Sequence, residues 1–158
     1  MAKQIEVTKT FNAPVEMVWQ VWVDSELVKR WWGPKDFISP VAKIDFREGG
    51  KSLVSMKAPK EMGGQEWYSV WEYVKITPME TIEFIQSLSD KDGNKIEPAK
   101  VGMPPDFPRD IKTVVTFREL AGGKTEMSVT EYADFGTISN FAQIGLEQSL
   151  DKMAAIFS

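Results

Sequence analysis

Any chemistry in this chain falls to aspartate, glutamate, lysine, tyrosine or serine, because histidine and cysteine are both absent from its 158 residues. That removes the commonest general base and the commonest metal ligand. It also excludes disulfides, thiol nucleophiles and thiolate metal sites. A carboxylate becomes useful as an acid or base when an apolar pocket raises its pKa. Glu131 and Glu72 fall in strand-like segments, and Glu131 is the catalytic candidate to test. Tyr68, Tyr73, Tyr132 and Arg109 are groups able to bind or polarise a carbonyl. Together they form no recognised catalytic constellation, and strand glutamates commonly face solvent, so the residues favour a binder over an enzyme.

Other chemistries find no support. Gly49-Gly50, Gly63-Gly64 and Gly122-Gly123 stand without a GK[ST] or GxGxxG context, so they read as turns, not nucleotide loops. Asp90-Lys91-Asp92-Gly93-Asn94 lacks the late bidentate glutamate of a calcium loop, and Glu97 comes too early. No metal and no cofactor is expected. Glu147 and Asp151 lie one helical turn apart beside Lys152 and read as an ordinary solvated face.

Net charge is −4 with both signs dispersed, which gives no basic patch for nucleic acid. Apolar residues make up 42% and charged residues 27%, the balance of a soluble globular domain. The length suits one domain over 1–158 with a core that needs no staples. Residues 1–10 carry no signal-peptide core and no apolar run approaches a membrane span, so the expected location is cytoplasmic.

These residues need elements to position them. Ile5 and Val7 alternate with polar neighbours up to Phe11, a strand pattern. Asn12-Ala13-Pro14 breaks it, with Asn12 as helix cap and Pro14 in the first turn. Val15, Val18, Trp19 and Trp22 then follow helical spacing, Ser25 caps a second short helix, and Gly33-Pro34 ends it. Strand signals follow at 41–47, 51–57, 66–76, 81–89, 111–120 and 125–132, separated by Gly- and Pro-bearing turns. Leu146, Leu150, Met153 and Phe157 share one face of a closing helix over 138–157. The order strand, helix, helix, six strands, long helix predicts an α+β domain with a curved antiparallel sheet of about seven strands wrapped around the C-terminal helix.

Phe11, Ala13-Pro14, Val18-Trp19, Trp22, Trp31-Trp32-Gly33-Pro34, Gly49-Gly50, the turn from Pro78 to Glu80, and Gln148-Ser149-Leu150-Asp151-Lys152 occur in an order that carries a resemblance. The chain resembles the helix-grip superfamily of lipid-transfer (START) and polyketide-cyclase domains. Within it, the resemblance is to the branch named after an activator of a heat-shock chaperone's ATPase. It runs from about Phe11 to Phe157 and is specific for fold and branch, while activity differs among members. The resemblance implies a cavity between sheet and C-terminal helix.

Alternation selects inward sheet residues for its wall: Phe46, Val54, Met56, Trp71, Phe84, Val115, Phe117, Met127 and Val129, with 67–73 open to a one-residue slip that would reverse its face. On the closing helix Phe141, Gly145, Ser149 and Met153 face the sheet. The ligand-binding candidates are Phe46, Met56, Trp71, Phe84, Val115, Phe117, Phe141, Gly145 and Ser149. Trp71 stands where relatives often have a small residue, so the cavity is either open or filled by Trp71 and methionines. Gly145 is costly inside a helix and marks either room for a ligand or a close contact. Trp31 and Trp32 cannot both face inward, and one belongs at the cavity mouth or an interface. A buried tryptophan N–H is expected to find a carbonyl in the 33–37 loop. Residues 90–110 form a proline-rich loop, either a surface insertion or a lid that folds Ile96, Met103 and Phe107 over the mouth.

Three readings of function follow. The first is a binder of a small apolar or amphipathic molecule, for which Ser149→Leu is expected to weaken binding and spare the fold. The second is a co-chaperone-like protein partner, which would show an apolar patch at Trp32 and Phe37; it ranks lower because in relatives it goes with an extra partner-binding domain. The third is a cyclase- or hydrolase-type enzyme using Glu131. A homodimer through an edge strand or the tryptophan-rich helices is left open.

Overall fold

Alternating apolar residues and tight turns build a seven-stranded antiparallel sheet in the order β1-β7-β6-β5-β4-β3-β2. The computed structural model describes residues 4–157; residues 1–3 and 158, the ends of the expected 1–158 domain, lie outside the described residues. The strands are β1 Ile5–Phe11, β2 Ala42–Lys43, β3 Lys51–Lys57, β4 Glu66–Thr77, β5 Thr81–Ser89, β6 Ile111–Leu120 and β7 Lys124–Tyr132. The helices are α1 Val15–Val23, α2 Ser25–Trp31 and α3 Ser139–Ala155. The fold is the α+β helix-grip architecture, with α1 and α2 linking the two edge strands and α3 crossing the inner face.

Local chemistry explains the boundaries. Pro14, and not Asn12, is the N-cap of α1, and it offers no side-chain bond. Asp24, and not Ser25, caps α2, its carboxylate accepting from the amides of Glu26 at 2.8 Å and Leu27 at 3.4 Å. The strand expected over 41–47 shrinks to Ala42–Lys43. There the chain turns back on itself: the amide of Arg47 donates to the Asp45 carbonyl, and that of Gly50 to the Arg47 carbonyl. A Cβ at position 50 would lie 2.4 Å from the Asp45 carbonyl oxygen, so only glycine fits.

The helices bury their aromatic faces at one end of the sheet's concavity. Trp22 packs on Trp31 at 4.6 Å and on Trp71 at 5.9 Å between ring centres, and Trp71 on Phe84 at 5.1 Å. The Trp31 indole donates to the Val21 carbonyl at 2.8 Å, one helical turn from its own helix, instead of to the 33–37 loop. Trp22 donates to the Met127 sulfur at 3.3 Å.

The carbonyls of that loop are taken by α3. Lys152 Nζ donates to the carbonyls of Phe37 at 3.1 Å, Pro34 at 3.2 Å and Trp32 at 3.5 Å. Ser149 Oγ donates to the Gly33 carbonyl at 2.8 Å, and Gln148 Oε1 accepts from the Lys35 amide at 3.1 Å. Lys152 is therefore no part of a solvated face, although Asp151 beside it is exposed and pairs with Lys9. Burial lowers the Lys152 pKa against the raising effect of Asp36. Desolvation thus outweighs that attraction, and the carbonyls hold the ammonium in place.

Replacing Lys152 by methionine keeps the stem and removes the donors, leaving partly buried carbonyls without a partner. Lys152→Met is expected to lower unfolding free energy by about 2–4 kcal/mol in urea titration. A loss below about 0.5 kcal/mol would show the contacts to be ornamental.

Candidate binding cavity

The aromatic cluster fills one end of the groove between α3 and the sheet. At the other end the inward positions turn small or polar. Ser69 lies two residues before Trp71 on β4, Gln86 two after Phe84 on β5, and Glu131 two after Val129 on β7. Alternation puts each pair on one face. Opposite them α3 presents Ala142 and Gly145. What remains is a cavity of about 340 Å³. Its floor is Met56, Ser69, Gln86, Leu88, Ile111 and Glu131; its helical wall is Phe141, Ala142, Gly145, Leu146 and Ser149; Trp32, Gly33 and Pro34 close one side.

The 90–110 loop supplies the cover, through Met103, Pro104 and Phe107 against Phe135 and Ile138. It is tied at several points. Trp67 Nε1 and Gln65 Nε2 donate to the Val101 carbonyl at 3.0 and 3.2 Å. The Thr137 amide donates to Asp106 at 3.1 Å, and Phe107 meets Phe135 edge-on at 5.8 Å. Ser87 donates to Asp110 at 2.8 Å, and that bond, followed by the one from Lys95, holds the Asp110 carboxyl below its usual range. Ile96 lies elsewhere, in a second, polar depression with Arg109, which pairs with Glu97.

Glu131 is the chemically active group of the cavity. It stands between Ile5 of β1 and Thr113 of β6 and is 9% exposed. The Thr113 hydroxyl turns to the Ile111 carbonyl at 3.3 Å. Among the described residues the Glu131 carboxyl has no hydrogen-bond or ion-pair partner. Desolvation alone pushes its pKa up to about 7. The other polar candidates lie outside: Tyr132 is exposed with Lys112 over its ring, Glu72 faces the outer side of β4, and Tyr73 is buried in the aromatic end against Ser52 at 2.8 Å, its pKa pushed up to about 12 by burial. Tyr68 does not line the cavity either. No group of histidine, cysteine, aspartate and glutamate that could hold a metal occurs among the described residues.

Of the nine candidates for ligand contact, Met56, Phe141, Gly145 and Ser149 line the cavity. Phe46, Trp71, Phe84, Val115 and Phe117 do not. Their inward face is as expected, but they sit at the filled end: Phe46 on Trp19 and Tyr73, Phe117 on Trp19 at 5.1 Å, Trp71 and Phe84 in the tryptophan cluster, Val115 fully buried. Trp71 therefore fills its own end and leaves the cavity open. A Cβ at Gly145 would stand 3.6 Å from Pro34, an ordinary contact, so this glycine leaves room instead of relieving a clash. Ser149→Leu removes the hydroxyl that bonds the Gly33 carbonyl, so it is expected to cost stability as well as binding. Trp32 lines the cavity while Trp31 is core. Sequence reasoning missed Ser69, Gln86 and Leu88; for Ser69 and Gln86 the signal was present, as polar residues at inward positions.

Glu131 makes stability depend on pH. Its folded pKa is about 7 against an ordinary 4.5, so between those values the native chain keeps a proton that the unfolded chain releases. Stability then falls as pH rises from about 4.5 through about 7, by about 3 kcal/mol in all. Glu131→Gln escapes that loss. It is expected to match the parent near pH 4.5 and to exceed it by up to about 3 kcal/mol at pH 8 in urea denaturation. Parallel pH curves for the two proteins would mean that the carboxyl ionises without cost.

Comparison with known proteins agrees with the fold. A solution structure from Arthrobacter aurescens superposes with a TM-score of 0.81 at 20% identity, over 99% of this chain and 86% of that one. A crystal structure from Chromobacterium violaceum gives 0.78 at 23%, over 98% and 96%. The AHSA1 protein of Silicibacter pomeroyi gives 0.70 at 18%, over 98% and 96%. No curated protein matches the chain significantly. The family model described as Activator of Hsp90 ATPase homolog 1-like protein matches residues 12–158. With the ordered tryptophans, the Gly33-Pro34 loop and the Gln148–Lys152 segment that grips it accounted for by that match, the chain belongs to the Activator of Hsp90 ATPase homolog 1-like family.

Proposed function

We propose that the protein binds a small apolar or amphipathic molecule between the sheet and α3, as one domain and without a cofactor. The observation that carries this reading is the cavity of about 340 Å³, apolar over most of its wall and holding a carboxyl that nothing in the described chain satisfies. Binding sites are commonly apolar clefts of this size with a few placed polar groups. An unsatisfied buried polar group is costly to keep and is found where function needs it.

One observation favours a second reading. A carboxyl with a pKa of about 7 is suited to general acid–base work near neutrality. Ser69, Gln86 and the Trp32 indole N–H, unpartnered among the described residues, also line the cavity, but no second titratable group does, so binding is preferred to a cyclase or hydrolase. The chaperone-partner reading has less behind it. Trp32 is turned to the cavity and Phe37 stacks on Trp67 at 6.2 Å, which leaves Ile38 as the exposed apolar residue of that surface. No described helix is long and apolar enough to cross a membrane.

Ala142 faces the cavity from the middle of its helical wall. Ala142→Trp is expected to fill the space, to keep the melting temperature within a few degrees, and to weaken binding of the neutral dye Nile red at least tenfold by fluorescence titration. Unchanged dye affinity in the folded variant would place the dye elsewhere and count against this cavity.

A further inference from the structure

We infer that the ligand of this cavity is an organic monocation, an aryl- or alkylammonium whose charge meets Glu131 and whose apolar body lies along α3. The inference rests on the binding reading above and names the chemistry of its ligand.

Glu131 is the one ionisable residue among those lining the cavity; lysine, arginine, tyrosine and aspartate are missing from that set. Carboxylate, phosphate or sulfate ligands would meet no counter-charge there and would face Glu131 itself. Such juxtaposition of like charges in a desolvated site opposes binding. An ammonium supplies the partner that the described chain withholds.

The groups around the carboxyl agree. On one side Ile5, and on the other Thr113 with its hydroxyl committed to Ile111, leave the cavity as the remaining direction. Lys112, next on β6, lies over the Tyr132 ring on the opposite face. The segment that follows β7 carries Asp134, whose carboxylate accepts from the Gly136 amide, and the covering loop carries Asp106, which accepts from Thr137. α3 adds no charge to the lining. The covering loop also carries Lys95 and Arg109, which pair with Asp110 and Glu97, and Lys100, all in the second depression and none in the lining of this cavity.

Aromatic rings complete the arrangement. Phe135 packs in one apolar cluster with Ile5 and Ile111, the neighbours of the Glu131 site, and Phe107 packs against that cluster. Trp32 stands further along the wall, while Phe141 is 77% exposed and touches the cavity only at its rim. Ring faces attract ammonium groups, more strongly where water is excluded. Ser69 and Gln86 make no side-chain hydrogen bond among the described residues and remain to meet a hydroxyl or amide on the ligand body.

The test uses three probes that share one body: 4-phenylbutylammonium, 4-phenylbutan-1-ol and 4-phenylbutyrate. Each is titrated calorimetrically into the parent protein and into Glu131→Gln, at pH 8 and pH 5.5. The ammonium is expected to bind at least tenfold tighter than the alcohol at pH 8, with the butyrate weakest. That advantage is expected to shrink at pH 5.5, where the cation must displace the Glu131 proton, and to vanish in Glu131→Gln while the alcohol still binds. An alcohol or butyrate that equals the ammonium in the parent at pH 8 overturns the inference and leaves the binding reading standing. So does an ammonium preference that survives in Glu131→Gln. Failure of all three probes while Nile red binds overturns the cation alone; failure of Nile red as well removes the binding reading with it.

Discussion

The grip of α3 on the loop after α2 is the contact on which the rest of the molecule depends. One ammonium, one hydroxyl and one side-chain amide from consecutive turns of α3 meet four carbonyls and an amide between Trp32 and Phe37. This is a polar solution to a packing problem. A long helix lying on a curved sheet has no ladder to fix its height or rotation, and apolar contacts alone would let it settle onto the sheet. Tying it at Ser149 and Lys152 sets its distance from the Gly33-Pro34 corner. It also holds the stretch from Phe141 to Gly145 over the polar end of the sheet.

From that constraint comes the division of the groove. Where α1 and α2 lean in, tryptophans and phenylalanines fill it to core density. Where they do not reach, the sheet offers serine, glutamine and glutamate, and the helix offers alanine and glycine. Small residues on one wall and polar residues on the other cannot collapse together without stranding hydrogen-bonding groups. The space persists for that reason, and the covering loop, pinned through Val101, Asp106 and Asp110, completes its wall. Glu131 is raised in pKa by the same circumstance, being walled by apolar groups and given no partner in the described chain.

Much of this was legible beforehand, in particular residues. Strand-like runs around Phe84 and Trp71 marked their strands, although apolar Val70 and Ile85 beside them blurred the alternation and left the face of 67–73 open by one residue; turn chemistry at Gly63-Gly64, Pro78 and Gly122-Gly123 separated those strands. Glu131 shares the parity of Met127 and Val129, but as a strand glutamate it read more readily as solvent-facing, and the structure turns it inward. The strand expected before Arg47 was not realised beyond two residues, because hydrogen bonds between Asp45, Arg47 and Gly50 win locally over alternation. Lys152 was misread since charge and spacing on a helix show which residues share a face. They do not show which lysine finds carbonyls from residues more than a hundred positions away.

By itself the sequence determined element types, their order, the inward face of most strands, though not of 67–73, and the absence of histidine and cysteine chemistry. These rest on local periodicity and on composition, which a single chain displays. Only the tertiary structure decided how far along each strand the core ends and the cavity begins. It also decided that Phe46, Trp71, Phe84, Val115 and Phe117 fall on the filled side, and that Met103 and Phe107 come down over the mouth. Those outcomes turn on where α1, α2, α3 and the 90–110 loop come to rest against one sheet. That placement is set by contacts between residues far apart in the chain, and period-2 or period-3.6 patterning carries no record of it.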